Sequence, residues 1–278
     1  MEKITSRRNQ LCLHIKKLGV SRSYRESCGE FLCDGLKLLE EAVRNEADVT
    51  NVLASSHIPF PLPLNTRVHF ADRSLVDYVS PLTNSQGILF TCKFPQAAHN
   101  DKADEYYHGN NDDSSENSHE NSDGNTSEYN DDYTGTHVLL DGVQDPGNVG
   151  AIIRTANAFG IRSVMLTGDC ADPYNPKTIR ATMGAIFRQK ICIISVSELA
   201  DLKDKGLRFI GSASHEQSKN VSMVKLSGSI IAIGSEGRGL SGDVLALCDE
   251  IVRIPIMPEC ESLNAAIAAA IIIYLARG

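Results

Sequence analysis

The chain is 278 residues long and 42% hydrophobic, enough to bury one large core or two modest ones, and no apolar run reaches the roughly 18 residues of a membrane span. Its formal net charge of −8 conceals a division: residues 97–135 hold eleven acids against Lys102, whereas residues 1–25 hold Lys3, Arg7, Arg8, Lys16, Lys17, Arg22 and Arg25 against Glu2. A polyanionic partner is therefore not excluded by the acidic total.

In chain order, the basic head MEKITSRRNQLCLHIKK lacks the apolar core and cleavage site of a secretory signal. Its charges suit either a nucleic-acid backbone or the solvated start of an amphipathic helix. FLCDG follows as a strand, LKLLEEAVRN as a helix, TNVLASS and RVHFAD as strands, RSLVDYV as a helix and QGILFTCKF as a strand. Residues 1–95 are thus expected to form a small α/β unit. The next stretch, 96–135, is dominated by Asn, Asp, Ser, Glu and Gly and has almost no aliphatic side chains, so a disordered acidic linker is expected. Its scattered histidines carry no metal-ligand spacing.

Residues 136–278 read as a second α/β unit. THVLLDGV, SVMLTGD, KICIISV, RFIGSAS, SIIAIGSE and EIVRIPI are strand-like; GNVGAIIRTANAFG, TIRATMGAIF, SELADLKDK and SLNAAIAAAIIIYLA are helical. Apolar strands alternating with helices imply a parallel sheet covered on both faces. The eight cysteines contain no C-x-x-C pair, which argues for reduced, mostly buried thiols in the cytoplasm and against a metal site of ordinary spacing.

Gly237-x-Gly239-x-x-Gly242 has the spacing of a dinucleotide phosphate loop, but it follows a late strand of its unit and Glu236 stands at its mouth. A carboxylate there would repel a pyrophosphate, so a dinucleotide enzyme is disfavoured. More telling are three polar turns at strand ends: DPGNVGAIIR with Asn148, Gly150 and Arg154; GSEGRGL with Glu236; and PIMPECESLN with Ser262 and Asn264. In an open parallel sheet such turns converge beyond the carboxyl ends of the strands.

These three blocks, in this order, resemble the motifs of the SpoU (TrmH) family of RNA ribose methyltransferases in the SPOUT superfamily. SRSYRESCGEFLCDG and LTNSQGIL resemble, less specifically, the family's ribosomal-protein-like substrate domain, with Asp34 where Glu is commoner. The resemblance implies a parallel-sheet SPOUT domain with a trefoil knot and a small N-terminal α/β substrate-binding domain. It implies a homodimer that uses S-adenosylmethionine (AdoMet) to methylate a ribose 2′-hydroxyl in structured ribosomal RNA, with transfer RNA as the alternative. A non-catalytic RNA-binding assembly factor on the same fold is the rival from another class.

By the same resemblance, Arg154, Asn148, Glu236, Ser262 and Asn264 are the catalytic candidates. Asn148 would position Arg154 or the ribose, and Glu236 would orient the arginine. The residue-level alternatives are an ion-paired surface arginine for Arg154, a turn acid for Glu236, and helix caps for Asn148 and Ser262. Ser212, Gly234, Ser235, Gly237, Ile254, Met257, Ser262 and Leu263 would contact the cofactor. Arg7, Arg8, Lys16, Lys17, Arg22, Arg25 and Arg180 are the candidates for RNA contact.

Overall fold

The computed structural model describes residues 2–95, 134–214 and 218–277. The expected acidic linker, apart from Thr134 and Gly135, lies outside the described residues. Among those described, no helix is long and apolar enough to cross a membrane.

The first half opens with three elements that the sequence reading did not separate: β1 (Glu2–Ile4), α1 (Gln10–Val20) and α2 (Arg22–Cys28). Local chemistry explains them. Asn9 caps α1 by accepting from the Leu11 N–H, Ser21 caps α2 by accepting from Tyr24, and Gly29, at φ +64°, ends α2 in the left-handed region. Then come β2 (Glu30–Asp34), α3 (Leu36–Arg44), β3 (Val49–Ala54), β4 (Arg67–Ala71), α4 (Arg73–Val79) and β5 (Ile88–Lys93). The five strands form a mixed sheet in the order β1-β4-β3-β5-β2. Leu32, Leu53 and Leu89 on one face pack against Cys12, Ile15 and Leu18 of α1 and Leu75, Val76 and Val79 of α4.

The second half runs β6 (His137–Asp141), α5 (Pro146–Ala158), β7 (Ser163–Thr167), α6 (Pro176–Thr182), β8 (Lys190–Ile193), α7 (Val196–Asp204) and β9 (Arg208–Ser212). It continues with β10 (Lys219–Asn220), β11 (Ser229–Gly234), α8 (Gly242–Leu247), β12 (Glu250–Arg253) and α9 (Ala265–Ala276). Its seven strands are all parallel, in the order β10-β12-β9-β11-β6-β7-β8, as the alternating apolar pattern implied. After β11 the chain must pass β9 to reach β12, and α9 then returns to pack against α5.

Two expected elements are shorter than their apolar pattern. EIVRIPI ends as a strand at Arg253, ahead of Pro255, which has no N–H for a ladder. TIRATMGAIF breaks at Met183 (φ +50°) and Gly184 (φ +93°), where a Cβ on Gly184 would sit 2.9 Å from Glu41 of α3. That close approach is one of several contacts between the halves, which share one hydrophobic cluster besides having one each of their own. Phe31, Phe90, Leu39 and Ala42 belong to the same hydrophobic cluster as Val138, Ile152 and Ile231. The Phe31 ring lies 5.8, 5.1 and 6.3 Å from those of Phe94, Tyr174 and Phe187, so aromatic rings from both halves interleave.

All eight cysteines are free; Cys12, Cys33 and Cys92 are buried, whereas Cys28 and Cys260 are exposed. Burial pushes the Cys248 thiol up to about 11, so it stays protonated at neutral pH. The expectation of mostly buried thiols therefore fails at Cys28 and Cys260.

Candidate active site

Asn148 lies in the first turn of α5, but it does not cap that helix. Asp145 does, accepting from the Asn148 backbone N–H at 2.8 Å, with Pro146 in the first turn. The Asn148 side chain is thereby free for other partners. Its Nδ2 donates to Glu236 Oε1, and its Oδ1 accepts from Asn264 Nδ2 at 3.0 Å. Asn264 Oδ1 in turn accepts from the N–H groups of Ala266 and Ile267, at 2.9 and 3.2 Å.

One directional chain of hydrogen bonds therefore runs from the α9 amino terminus through Asn264 and Asn148 to the Glu236 carboxylate. Both intermediate positions must accept and donate at once, which an amide does and a carboxylate does not. The three turns singled out in the sequence are brought together by this chain. Ser262 is not the cap of α9; the helix begins three residues later, at Ala265, and Asn264 takes that task. Ser262 is exposed in the loop leading to it.

The glycine loop owes its form to Gly234 and Gly239. Ser235 and Gly239 exchange backbone hydrogen bonds of 3.1 and 2.9 Å, closing a tight hairpin with Gly239 at φ +67°. A Cβ on Gly234 would fall 2.2 Å from the Gly239 carbonyl carbon. By contrast, a Cβ on Gly237 or Gly242 would meet open space, so the packing of the loop itself requires neither glycine. Buried Asp141, at the end of β6, accepts the Ser241 N–H at 2.6 Å and fixes the far end of the loop.

Gly234→Ala should therefore force the hairpin open. The expected cost is about 1–3 kcal/mol of stability, of the kind seen for overpacked sites. Gly237→Ala should cost little, and denaturant midpoints of the two variants distinguish them.

The register gathers the proposed cofactor contacts at one edge. Ser212 of β9 pairs with Ile233 of β11 and with Val252 of β12, which sets Ser212, Gly234 and Ile254 at neighbouring strand ends. Ser235 and Gly237 lie in the adjoining hairpin. Met257, Ser262 and Leu263 occupy the segment between β12 and α9, which contains a turn closed by the Cys260 N–H on the Met257 carbonyl at 3.0 Å.

Arg154 is exposed, and the described residues give it neither an ion pair nor a hydrogen bond. The ion-paired surface arginine is thus not what the fold contains. Nor does Asn148 or Glu236 hold it within the chain. Six residues along a helix correspond to about 9 Å of rise and 240° of rotation, so Arg154 leaves α5 on another side from Asn148.

The basic candidates of the first half divide sharply. Arg25 is buried, its guanidinium bonded to Asp172 Oδ2 at 2.5 and 3.2 Å and to the Leu18 carbonyl at 2.5 Å, so it joins the two halves and is not an RNA contact. Arg180 donates to the Asn84 carbonyl of the first half at 3.1 Å, and Arg22 pairs with Glu26 one turn on. Arg7 and Lys16 instead stack on Tyr78, at 4.1 and 3.6 Å from the ring centroid, and Lys17 lies 5.3 Å from that of Tyr24. Hydrogen bonding from Lys16, with its charge, lowers the Tyr78 hydroxyl below its ordinary range. Arg8 is exposed.

Several working residues escaped the sequence reading: Asp172, Tyr24, Tyr78, Asp141 and the role of Asp34. Asp34 accepts from Ser80 Oγ at 2.9 Å, Ser85 Oγ at 3.2 Å and the Gln86 N–H at 2.9 Å, and so shapes the LTNSQG loop. An acid followed by Gly at a strand end was the available signal.

Comparison with known proteins places this geometry in context. Residues 135–274 match the model of the SpoU rRNA Methylase family. The whole chain is 28% identical over 282 residues to the 23S rRNA (guanosine(2553)-2'-O)-methyltransferase RlmP of Bacillus subtilis (strain 168), with 100% of each covered. A TrmH-family protein from Porphyromonas gingivalis is 27% identical and superposes with a TM-score of 0.75 over 99% of this chain and 98% of that one. The SpoU methyltransferase AviRb from Streptomyces viridochromogenes, in complex with AdoMet, has the same fold at 24% identity, with a TM-score of 0.75 over 97% of each chain.

Proposed function

The chain belongs to the SpoU rRNA Methylase family, and from that premise we propose that it is an AdoMet-dependent enzyme that methylates a ribose 2′-hydroxyl in ribosomal RNA. The observation that carries the reading is the hydrogen-bond chain from Asn264 through Asn148 to Glu236, which unites three distant segments beside the glycine hairpin. Structural capping needs only Asp145 and Asn264, so the bond from Asn148 to Glu236 calls for another purpose.

The residues present suit the cofactor. The strand ends at Ser212, Gly234 and Ile254 lie side by side, the Ser235 side chain adjoins them in the hairpin, and Met257 and Leu263 follow as apolar cover. Gly237 leaves room beside the hairpin for close approach. A carboxylate such as Glu236 is compatible with a positively charged ligand. When bound, AdoMet supplies a methyl carbon activated by its sulfonium.

The chain's own residues must align the acceptor hydroxyl, take up its proton and stabilise the developing alkoxide. Arg154, always charged, is suited to hold the alkoxide and a neighbouring phosphate and is a poor base. Asn148 and Asn264 hold Glu236 in one orientation, and Ser262 lies beside them in the loop. The trefoil knot belongs to this proposal; the passage of the chain across β9 and the return of α9 are compatible with it.

A homodimer completes the reading. Ile267, Tyr274 and Leu275 of α9 are exposed, an apolar helix face suited to a second copy. The Arg7, Lys16 and Tyr78 cluster, with Arg8 and Lys17, provides the RNA-facing charge. The free cysteines fit a reducing cytoplasm.

The test is methyl transfer from labelled AdoMet to unmodified ribosomal and transfer RNA. Label in ribosomal RNA at one alkali-resistant linkage is expected. Label confined to transfer RNA would move the substrate, and AdoMet and RNA binding without transfer would favour the assembly-factor alternative.

A further inference from the structure

The first half contains a cavity of about 620 Å³ that the methyl-transfer reading leaves unused. It lies against α1 and α2 and over the starts of β3 and β4. Its working surface is formed by His14, Lys17, Tyr24, Asn51, Arg67 and His69. Strand register explains the grouping. Asn51 pairs with Arg67, and Leu53 pairs with His69, so these side chains share the sheet face on which Leu53 meets α1.

The cavity is an open depression rather than an enclosed void, so it is accessible to one nucleotide of a longer strand. Its chemistry combines flat rings, cations and an amide. Tyr24 and His14 are held edge to face at 5.6 Å, with Tyr24 Oη on His14 Nδ1 at 3.0 Å and Glu30 on His14 Nε2 at 2.9 Å. This bracing fixes the two rings. Asn51 donates its Nδ2 to Thr50 and Thr91, at 3.3 Å each, which directs its carbonyl oxygen elsewhere. Lys17 and Arg67 are both exposed at the cavity.

Rings for stacking, cations for a phosphate and an amide for a base edge are what an unstacked nucleotide requires. The surroundings favour a nucleotide within a strand over a free one. The cavity adjoins the basic head, where Lys16 and Arg7 on Tyr78 extend the positive surface along α1. We propose that this cavity binds an unstacked nucleotide of the substrate RNA, distinct from the one that is methylated. The proposal rests on the reading of the protein as an RNA enzyme. The separation follows from the fold: the opposite face of the same sheet, with Phe31 and Phe90, joins the catalytic half. The sheet thus stands between cavity and active site.

The test uses full-length protein and a ribosomal RNA fragment that the wild type methylates. Arg67→Ala and Lys17→Ala should each weaken RNA binding several-fold at moderate salt. Each should also make the slope of log K against log salt shallower by about 0.7, the value for one single-strand phosphate contact. AdoMet affinity should be unchanged. RNA bearing 4-thiouridine should crosslink at His14 or Tyr24 through a nucleotide other than the methylated one. Unaltered RNA affinity and salt slope in Arg67→Ala, alongside methylation by the wild type, would overturn the proposal. So would a crosslink through the methylated nucleotide itself, or tight binding of a free nucleoside monophosphate without any effect of the variants on RNA. A wild type that neither binds nor methylates RNA would instead overturn the parent reading, and it would do so before any variant is made.

Discussion

Arg154→Ala is expected to bind AdoMet as the wild type does and to transfer its methyl group about 100- to 1,000-fold more slowly, the loss typical of one charge-stabilising group removed from a reaction centre. The fold gives this arginine no structural employment: it is exposed and has no ion pair or hydrogen bond among the described residues. Its truncation should leave the denaturant midpoint nearly unchanged, since surface substitutions usually stay within about 0.5 kcal/mol. Arg154→Lys keeps the charge but loses the planar fork, and should recover only part of the rate. Single-turnover transfer to ribosomal RNA measures all three, and full activity in the alanine variant would remove Arg154 from the mechanism. Asn148→Asp provides a companion. It sets a second carboxylate against Glu236 and deprives that residue of its donor, so the directional chain to Asn264 breaks in the middle.

The second large effect concerns stability. Arg25 is 3% exposed and its partner Asp172 12%, and they tie α2 to the segment before α6. Removing the guanidinium leaves a largely desolvated carboxylate, for which the expected cost is about 3–5 kcal/mol. Arg25→Ala should shift the urea midpoint accordingly. Arg25→Ala combined with Asp172→Ala should cost clearly less than the two separate losses together, because no orphaned charge remains. A variant of unchanged stability but weakened RNA binding would return Arg25 to the surface contacts among which its sequence neighbours place it.

That pair illustrates where sequence reasoning stops. Arg25 sits among Arg22, Lys17 and Lys16 in the chain, and its partner is 147 residues away, so its burial left no local trace. The parallel sheet was legible because each of its longer strands is an apolar run closed by a polar turn. The meeting of three turns followed from the rule that strand ends face the ligand. Which atom bonds which did not follow: helix capping stayed open as the alternative for Asn148 and Ser262, and the structure gives those caps to Asp145 and Asn264. Gly237 and Gly242 suggested a phosphate loop through spacing alone. The glycine that geometry requires, Gly234, stands before that pattern. In the first half, α1 and α2 were obscured because their apolar residues are diluted by charge, and their caps, Asn9 and Ser21, become informative only once the helices are seen.

The shared core has a consequence for the polypeptide that leaves at Pro95 and re-enters at Thr134. Interleaved rings around Phe31, the buried pair at Arg25 and the bond between Arg188 and Glu41 already hold one half against the other. The connecting tract is thereby relieved of any duty as a ruler. The distance from the basic face of the first half to the glycine hairpin of the second is fixed by contacts among the described residues.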